Sequence, residues 1–291
     1  METLAYLARQ PILDRNGKIY AYELLFRDSP ESDTAVIASD LLATAQVLEN
    51  VLNNIGIQRL VGSNKAFVNC SRNMLLDNLF GLLNPKYFVL EVLESVEVDE
   101  RVVDAVKEYK SLGFEIALDD FIFESQFIKR FESLFPYVSY IKMDVAENSL
   151  ESMEKAAAFF REKGIKLLAE KVEDEATFKR CADAGYDFFQ GFFFARPELV
   201  TGHKIDATST AIVQLLQLLR IHPSLDELCD NLDKHPDITA NLLKFVNSDC
   251  QGHGHIDNVR DAVVWVGMRH IQEWLLLMLY ARPEIHARGN L

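Results

Sequence analysis

Short apolar runs alternate with helical patterns over the first two thirds of the chain. Several runs are almost continuously apolar, which is typical of strands that are covered on both faces. Between them, apolar residues recur with the helical period, and these segments stop at glycines suited to left-handed helix caps. The pattern predicts strands at residues 20–26, 66–70, 87–92, 114–118, 138–143, 166–169 and 187–189.

Helical segments fill the gaps between these strands. A long one covers residues 41–55 and stops at Gly56, and three more end at Gly113, Gly164 and Gly185. Repetition of strand, helix, glycine and strand indicates βα units and a parallel sheet. The number of units favours a closed barrel, so the predicted fold class is α/β, a TIM-like (β/α) barrel. The turn at residues 14–18 carries a hairpin signal, which predicts that the first strand runs antiparallel.

The pattern changes after Pro197, where only helical segments are predicted. They cover residues 207–220, 225–232, 238–246 and 259–280 and are interrupted by Pro223 and Pro236. We therefore expect an all-α domain after the barrel, with a boundary near Thr201 and Gly202. The predicted division is a barrel at residues 1–202 and a helical domain at residues 203–291.

Composition and charge narrow the class of protein. The chain has 291 residues, of which 49% are hydrophobic and 25% charged, as in soluble globular proteins. Its net charge of −14 argues against nucleic acid and against anionic membranes as partners. A phosphorylated ligand would then need a metal or a local cationic pocket to neutralise it.

Three further features of the sequence suggest a cytoplasmic protein. The four cysteines, Cys70, Cys181, Cys229 and Cys250, are widely separated, so we expect reduced thiols and neither a disulfide framework nor a zinc site. The strongest apolar run, at residues 274–280, is far shorter than the about 18 residues that a membrane span needs. The N-terminus also lacks the pattern of a signal peptide.

Polar side chains follow the predicted strands at the point where each strand ends. In a (β/α) barrel, functional groups gather at these carboxyl ends. So many carboxylates at one mouth would repel each other unless they shared cations. Oxygen ligands suit Mg²⁺, Mn²⁺ or Ca²⁺ better than zinc, and a metal pair is a common device for hydrolysing phosphodiesters. The strand-end residues are Glu23, Asn69, Glu91, Asp119, Asp120, Lys142, Asp144, Glu170 and Gln190.

These strand ends lie in motifs that resemble those of the EAL-type cyclic-di-GMP phosphodiesterases. Residues 23–27 (E-L-L-F-R) are similar to E-A-L-x-R, and residues 119–121 (D-D-F) are similar to the start of D-D-F-G. Eight motifs follow the family's order between Leu7 and Pro197. The others are at residues 10–12 (Q-P-I), 67–71 (F-V-N-C-S), 90–95 (L-E-V-L-E-S), 141–144 (I-K-M-D), 169–173 (A-E-K-V-E) and 190–192 (Q-G-F).

The resemblance implies a role for each matching residue. Two sites for Mg²⁺ or Mn²⁺ are implied, and Lys142, Glu170 and Asp120 are the implied catalytic residues. Lys142 would position the attacking water, Arg27 would meet a ligand phosphate, and Gln10 and Gln190 would belong to the ligand pocket. One metal would be held by Glu23, Asn69, Glu91 and Asp119, and the other by Asp119, Asp120 and Glu170.

The sequence departs from the family pattern around these residues. Where the family has G-T-G-Y-S-S, residues 122–127 read I-F-E-S-Q-F, and Lys171 replaces a glycine beside Glu170. Loss of the glycines removes backbone conformations that such a loop can use. We therefore expect Phe123 or Phe127 to be buried near the mouth, and the charge of Lys171 to compete with a metal for Glu170.

The helical tail resembles the HDOD output domains, which are related to metal-dependent HD hydrolases but lack their metal ligands. The similarity lies in residues 242–248 (L-L-K-F-V-N-S) and 262–267 (A-V-V-W-V-G), and it covers only the first part of such a domain. An incomplete domain of this kind is expected to expose apolar surface around Val263, Trp265 and Leu275.

Three functions fit these observations. One is an active phosphodiesterase that opens cyclic-di-GMP, supported by the full set of ligands. The second, favoured by the altered loop and Lys171, is a signalling protein with a degenerate barrel that acts by binding ligand or protein. Its partners would be cyclic-di-GMP, a protein that contacts the helical tail, or a second copy in a homodimer. The third, an unrelated metal-dependent barrel enzyme, is disfavoured by the ordered motifs.

Overall fold

The computed structural model describes residues 3–27, 40–204, 207–248 and 255–283. The chain forms two compact units, and each contains more than one segment of the sequence. The barrel unit comprises Arg9–Leu25 and Ser63–Glu198. The helical unit comprises Met1–Ala8, Phe26–Gly62 and Leu199–Leu291.

All seven predicted strands are present, within two residues at each end. They form one sheet together with a preceding first strand and a ninth strand near the domain boundary. The strands are β1 (Thr3–Asp14), β2 (Ile19–Phe26), β3 (Lys65–Cys70), β4 (Phe88–Val92), β5 (Glu115–Leu118), β6 (Tyr140–Asp144), β7 (Lys166–Glu170), β8 (Phe188–Phe189) and β9 (Glu198–Lys204).

The sheet closes into an eight-stranded barrel. Strands β2 to β8 are neighbours in chain order and run parallel. Strand β1 runs antiparallel to β8 and also pairs with β2, which closes the ring. The predicted fold class and the antiparallel first strand are therefore confirmed. The next strand in the sheet after β1 is β9, so the prediction that no strand follows Pro197 was wrong.

One buried side chain from each strand fills the interior of the barrel. Because alternate residues of a strand point to the same face, these positions fix which other residues also face inward. The apolar layer contains Ile12, Ala21, Phe67, Val89, Ala117, Tyr140, Leu168 and Phe188.

Helices of the barrel unit end within two residues of the predicted glycines Gly113, Gly164 and Gly185. Asp99, Ser149 and Asp174 each cap a helix by accepting a hydrogen bond from a backbone amide of the first turn. Gly185 adopts the left-handed conformation after the last of these helices. The helices are α3 (Arg72–Leu76), α4 (Glu100–Ser111), α5 (Ser125–Phe131), α6 (Leu150–Glu162) and α7 (Glu175–Ala184), with a 3₁₀ turn at Leu79–Leu82.

The helical unit combines the tail with helices from the first part of the chain. Helix α12 packs against both α8 and α1, and α10 packs against the π-helical continuation of α1. The fully buried Trp274 donates a hydrogen bond from Nε1 to Oδ1 of Asn53, at 3.2 Å. The helices are α1 (Asp40–Glu49) with its continuation Asn50–Ile55, α2 (Ile57–Val61), α8 (Ser209–Arg220), α9 (Leu225–Leu232), α10 (Pro236–Ser248), α11 (Val259–Val266) and α12 (Met268–Tyr280).

The predicted helix at residues 259–280 is divided at Gly267. A φ of +81° there ends α11 and starts α12 in a new direction. Cys70, Cys181 and Cys229 are buried free thiols as expected, and Cys250 lies outside the described residues. No helix in the described part of the chain has both the length and the apolar character for crossing a membrane.

Candidate active site

The predicted site residues face the barrel interior two positions beyond the apolar layer. Glu23 follows Ala21, and Lys142 follows Tyr140, each by one full pleat on the same strand. On the antiparallel β1 the same step runs backwards, from Ile12 to Gln10. The same relation holds for Asn69, Glu91, Asp119, Glu170 and Gln190. The barrel therefore gathers all of these side chains at its carboxyl end.

Lys142 lies at the centre of this group and is only 1% exposed. Its Nζ is 2.7 Å from Oε1 of Glu91 and 2.7 Å from Oδ1 of Asp119. Oε1 of Glu170 lies at 3.0 Å and Oε1 of Glu23 at 3.6 Å. One ammonium group therefore contacts four carboxylates, so the mouth keeps a net negative charge when all of them are ionised.

The electrostatics of the mouth are those of buried acids that repel each other. Burial, together with the charges of Asp119 and Glu23, raises the pKa of Glu170 to about 8 despite the nearby Lys142. Burial also raises the pKa of Glu91 well above its usual value. Burial alone would lower the pKa of Lys142, but the four carboxylates outweigh it and raise that pKa well above its usual value. The carboxylates therefore favour the cationic form of Lys142.

Several buried oxygen atoms of the mouth have no hydrogen-bond donor among the described residues. They include Oδ1 of Asn69, Oε2 of Glu91, Oε2 of Glu170 and Oε1 of Gln190. A buried acceptor without a partner is costly unless a cation or water satisfies it. Carboxylate and amide oxygens are the ligands of Mg²⁺, Mn²⁺ and Ca²⁺, so this donor set fits a hard divalent cation.

A second group of oxygens lies beside the first. Carboxylate oxygens of Glu94, Asp119 and Asp120 lie within 4.8 Å of one another. Asp120 has a φ of +42°, and burial together with the charge of Asp119 raises its pKa to about 6. Glu94 is not among the site residues predicted from the sequence. The signal was available, because Glu94 is the second acid of residues 90–95.

A cavity of about 360 Å³ lies above these groups. Gln190 donates from Nε2 to Oε2 of Glu23 and, at 3.2 Å, to Oε1 of Gln10. Gln10 in turn donates to the carbonyl of Ala195 at 3.4 Å. The amides therefore fix the orientation of Glu23 and form one wall of the cavity, as expected of ligand-binding residues.

The backbone after Gln190 passes unusually close to a neighbouring segment. A Cβ on Gly191 would lie 2.1 Å from the carbonyl oxygen of Val172, and φ at Gly191 is +156°. Only glycine fits this approach without moving the backbone. The glycine of residues 190–192 is thus required for steric reasons, in addition to the place of this motif in the cavity wall.

Lys171 lies elsewhere than expected. Its side chain is 59% exposed, and its Nζ forms an ion pair with Oδ2 of the buried Asp144. No ion pair joins it to Glu170 within the described residues. Lys171 therefore forms its ion pair with Asp144, while its charge still interacts with that of Glu170, and its competition with a metal for Glu170 stays a prediction. Its φ of +54° is a conformation that favours glycine.

The loop after Asp120 packs against α6 and leaves the mouth open. Phe123 contacts the rings of Phe159 and Phe160, and Phe127 stacks on Phe131. Both Phe123 and Phe127 are only half-buried, so the prediction that one of them is buried near the mouth was wrong.

Asn148 holds the same loop from both ends. Its Oδ1 accepts from the amide of Phe123, and its Nδ2 donates to the carbonyl of Phe121, both at 3.4 Å. Phe121 also donates its amide to the carbonyl of Lys142, at 2.8 Å. The backbone that carries Asp120 is therefore tied to the strand that carries Lys142.

Arg27 belongs to the helical unit, and the structure gives it one backbone partner. Its Nη1 donates to the carbonyl of Phe26 at 2.8 Å. Its contact with a ligand phosphate stays a prediction.

Fold and site together define a (β/α) barrel whose mouth carries an oxygen-rich acidic cluster with one central lysine. The chain belongs to the EAL domain family, whose family model matches residues 4–197. The HDOD domain model matches residues 206–283, so the expected similarity of the tail is confirmed. Membership of the EAL family does not determine whether the barrel is degenerate.

Two relatives are similar over almost the whole chain. YuxH of Bacillus subtilis is 29% identical over 288 residues, which are 98% of this chain and 70% of that protein. The cyclic di-GMP phosphodiesterase CdgJ of Vibrio cholerae is 29% identical over 281 residues. That alignment covers 94% of this chain but only 63% of CdgJ.

A solved structure shares the fold. The Bacillus subtilis YkuI protein, with an EAL domain, was solved in complex with substrate c-di-GMP and calcium. It superposes with a TM-score of 0.52 at 17% identity, over 79% of this chain and 74% of that one.

Proposed function

We propose that the barrel is a Mg²⁺- or Mn²⁺-dependent phosphodiesterase that opens cyclic-di-GMP to the linear dinucleotide. The observation that carries this proposal is the complete oxygen set around Lys142, with several buried oxygens that a cation would satisfy. The name of CdgJ and the ligands of YkuI support cyclic-di-GMP as the substrate class.

In this proposal the carboxylates divide between two cations. The bound metals would supply a Lewis acid for the phosphoryl oxygens and would lower the pKa of the attacking water. Because the surrounding carboxylates favour the cationic form of Lys142, its ammonium group would hold that water and offset negative charge. Gln10 and Gln190 would orient the ligand, and Arg27 would meet a phosphate. The proposed ligands are Glu23, Asn69, Glu91 and Asp119 for one cation and Asp119, Asp120, Glu170 and Glu94 for the other.

Two observations favour hydrolysis over a degenerate site. The altered loop leaves the cavity free, because Phe123 packs against α6 and Phe127 against Phe131 of α5, and neither ring lines the cavity. Lys171 forms its ion pair with Asp144, so the carboxylate of Glu170 can bind a metal. Both features had counted against activity when only the sequence was considered.

The decisive experiment is incubation with cyclic-di-GMP and saturating Mn²⁺, followed by chromatography of the nucleotides. We expect turnover at about 1–10³ s⁻¹, the range of ordinary enzymes. Glu170→Gln, which keeps the shape of the side chain, should reduce turnover to background. The matched control is Glu154→Gln on the exposed face of α6, which should retain it. Absence of turnover in the folded wild-type protein would contradict the proposal.

A second measurement isolates metal binding from chemistry. Millimolar Mn²⁺ should raise the melting temperature of the wild-type protein, because the unfolded chain lacks the site. The same addition should produce a clearly smaller shift in Asp119→Ala, since Asp119 belongs to both proposed metal sites. Equal shifts in the two proteins would show that the cation binds elsewhere.

The second candidate function is binding of cyclic-di-GMP without hydrolysis. It is favoured by the position of Lys142, whose charge already occupies the centre of the carboxylates. In that case calorimetry should detect cyclic-di-GMP binding while chromatography shows no product. Turnover that appears when glycine is restored at positions 122, 124 and 171 would establish a degenerate barrel.

We also propose a protein partner for the helical tail, either another protein or a second copy. The apolar surface predicted there is only partly present, because Val263 and Leu275 are buried. Val264, Trp265 and Met268 are exposed by 63%, 44% and 37%. Sedimentation of Trp265→Ser against the wild-type chain tests whether this surface mediates self-association.

A further inference from the structure

A cavity of about 520 Å³ lies at the amino ends of the barrel strands. It is bounded by the turn between α6 and β7 and by the turn between α7 and β8. The hairpin between β1 and β2 adds Arg15. Since the carboxylate cluster is at the carboxyl ends of the same strands, this cavity is separate from the proposed active site.

Three cationic residues line this cavity. Arg15 donates from Nε to the carbonyl of Tyr186 at 2.7 Å. Arg161 lies directly over the next turn, because a Cβ on Gly185 would meet its Nη2 at 1.9 Å. Lys166 is the first residue of β7, and its Nζ lies 5.7 Å from the ring centres of Tyr140 and Phe188.

The charges of these three groups are not balanced locally. Within the described residues, Arg15, Arg161 and Lys166 form no ion pair with a carboxylate. The one acid that lines the cavity, Asp187, uses Oδ2 to accept the amide of Leu167 at 3.0 Å. A concentration of positive charge is unusual in a chain whose net charge is −14.

We propose that this cavity binds a small molecule that carries a chain of two or three phosphates. Guanidinium groups bind phosphate oxygens in pairs, and a lysine adds a point charge. The volume lies within the range of small-molecule sites. With Asp187 included, the charged residues of the lining sum to +2, and three separate cationic groups match the several oxygens along a phosphate chain better than those of one phosphate.

The same three cations have a simpler structural role that the test must separate from binding. Helices α6 and α7 end at this face, and positive side chains stabilise the carboxyl end of a helix. That role predicts lower stability in variants and no effect of an added polyphosphate. Ligand binding and stability are therefore measured independently.

The probe is inorganic tripolyphosphate, titrated into the full chain by calorimetry in buffer that contains EDTA. EDTA removes metals that would bind the probe at the barrel mouth. We expect saturable binding with one site per chain. In Arg161→Gln/Lys166→Gln the affinity should fall at least tenfold, about 1.4 kcal/mol. Lys107→Gln, on the exposed face of α4, should change it by less than about twofold.

Each other result would overturn the proposal. No saturable binding by the folded wild-type protein would remove the site. An equal loss in the Lys107 variant would show that the anion responds only to overall charge. If the double variant fails to melt cooperatively, Arg15→Gln and Lys166→Gln are compared singly, and unchanged affinity in both would also refute the assignment. Stabilisation by tripolyphosphate that NaCl of matched ionic strength reproduces would indicate screening alone.

Discussion

Inward-facing residues of the barrel change from apolar to ionisable within one pleat of the sheet. Tyr140 is packed in the apolar layer, whereas Lys142, two residues further on, is surrounded by carboxylates. A buried ammonium of this kind depends on its partners, since an isolated charge would be neutralised by burial. The apolar floor therefore strengthens every electrostatic interaction of the mouth above it.

Adding a single methyl group at Gly191 should have a large effect on the stability of the fold. In Gly191→Ala the new methyl group would meet the backbone of Val172 at 2.1 Å, so the backbone must move. We expect a loss of at least about 3 kcal/mol in the free energy of unfolding, the upper end for overpacking.

Gly17→Ala is the control for this substitution. Gly17 also has a positive φ, of +74°, but nothing lies within 4 Å of the added Cβ. Gly17→Ala should lower the free energy of unfolding by about 1–2 kcal/mol, because alanine disfavours the left-handed backbone conformation. Urea unfolding measures both, and equal losses would show that the contact with Val172 relaxes freely.

Lys171 allows the two candidate functions to be compared by one substitution. Lys171→Gly removes the ion pair with Asp144 and relieves the left-handed backbone. Lys171 contacts Asp144, and this ion pair is partly exposed and therefore weak. We expect the Mn²⁺ concentration for half-maximal turnover to change by less than about threefold. A larger gain in metal affinity or in turnover would indicate that Lys171 opposes the metal.

At the scale of elements, the capping residue at the start of α4 makes the stability of the fold depend on pH. Arg72 and the backbone amide of Val102 donate hydrogen bonds to Asp99 and lower its pKa to about 2. In the unfolded chain this carboxyl has its usual pKa, near 3.8. Its contribution to stability is therefore complete above that value and is lost as the pH falls towards 2.

The variant Asp99→Asn isolates this contribution. Its amide can still cap α4 through the side-chain oxygen, but it does not titrate. Between pH 5 and pH 2 the free energy of unfolding should fall less steeply in Asp99→Asn than in the wild-type protein. Parallel pH profiles would show that the ion pair with Arg72 adds nothing to stability.

Strands and caps could be predicted from the sequence because their causes are local. Buried parallel strands require apolar runs, and Ser149 and Asp174 are capping residues by their own chemistry. The step of two residues from the apolar layer to the acids is also visible in the printed sequence. Glu94 lies beyond the end of β4 and outside this step, and its only signal was its place as the second acid of residues 90–95.

Other features depend on contacts that the sequence does not display. The pattern of residues 198–204 does not distinguish a strand from a loop. These residues form a strand by pairing with the edge of β1. The position of Lys171 depends on Asp144, a buried acid from a neighbouring strand. Similarly, the rings of Phe123 and Phe127 find partners on α6 and α5, which only the tertiary structure brings together.

At the scale of the molecule, the first long helix belongs with the tail. The sequence placed residues 41–55 in the barrel range 1–202, whereas α1 packs against α12 and lies in the helical unit. Its apolar pattern is that of any amphipathic helix, so it predicts burial but not the partner. The division at residue 202 remains a proposal about sequence families, and the compact units follow a different boundary.

A chain shortened to residues 1–202 should therefore aggregate. Without α12, the buried face of α1 with Leu42, Val47 and Leu48 would be exposed. We expect strong binding of a hydrophobic dye and loss of soluble protein. The control is the same fragment with serine at these three positions, which should stay soluble for longer. A well-behaved unmodified fragment would mean that α1 finds other cover.

The position of α1 in the helical unit also has a consequence for the protein during its synthesis. More than two hundred residues separate α1 from α12. At about 5–20 residues per second, the ribosome needs roughly 10–40 s to make them. Throughout that interval α1 has emerged without the helix that covers it. The inserted barrel segment is complete earlier, so translation order makes it the first unit able to fold, while α1 depends on chaperones or on transient contacts.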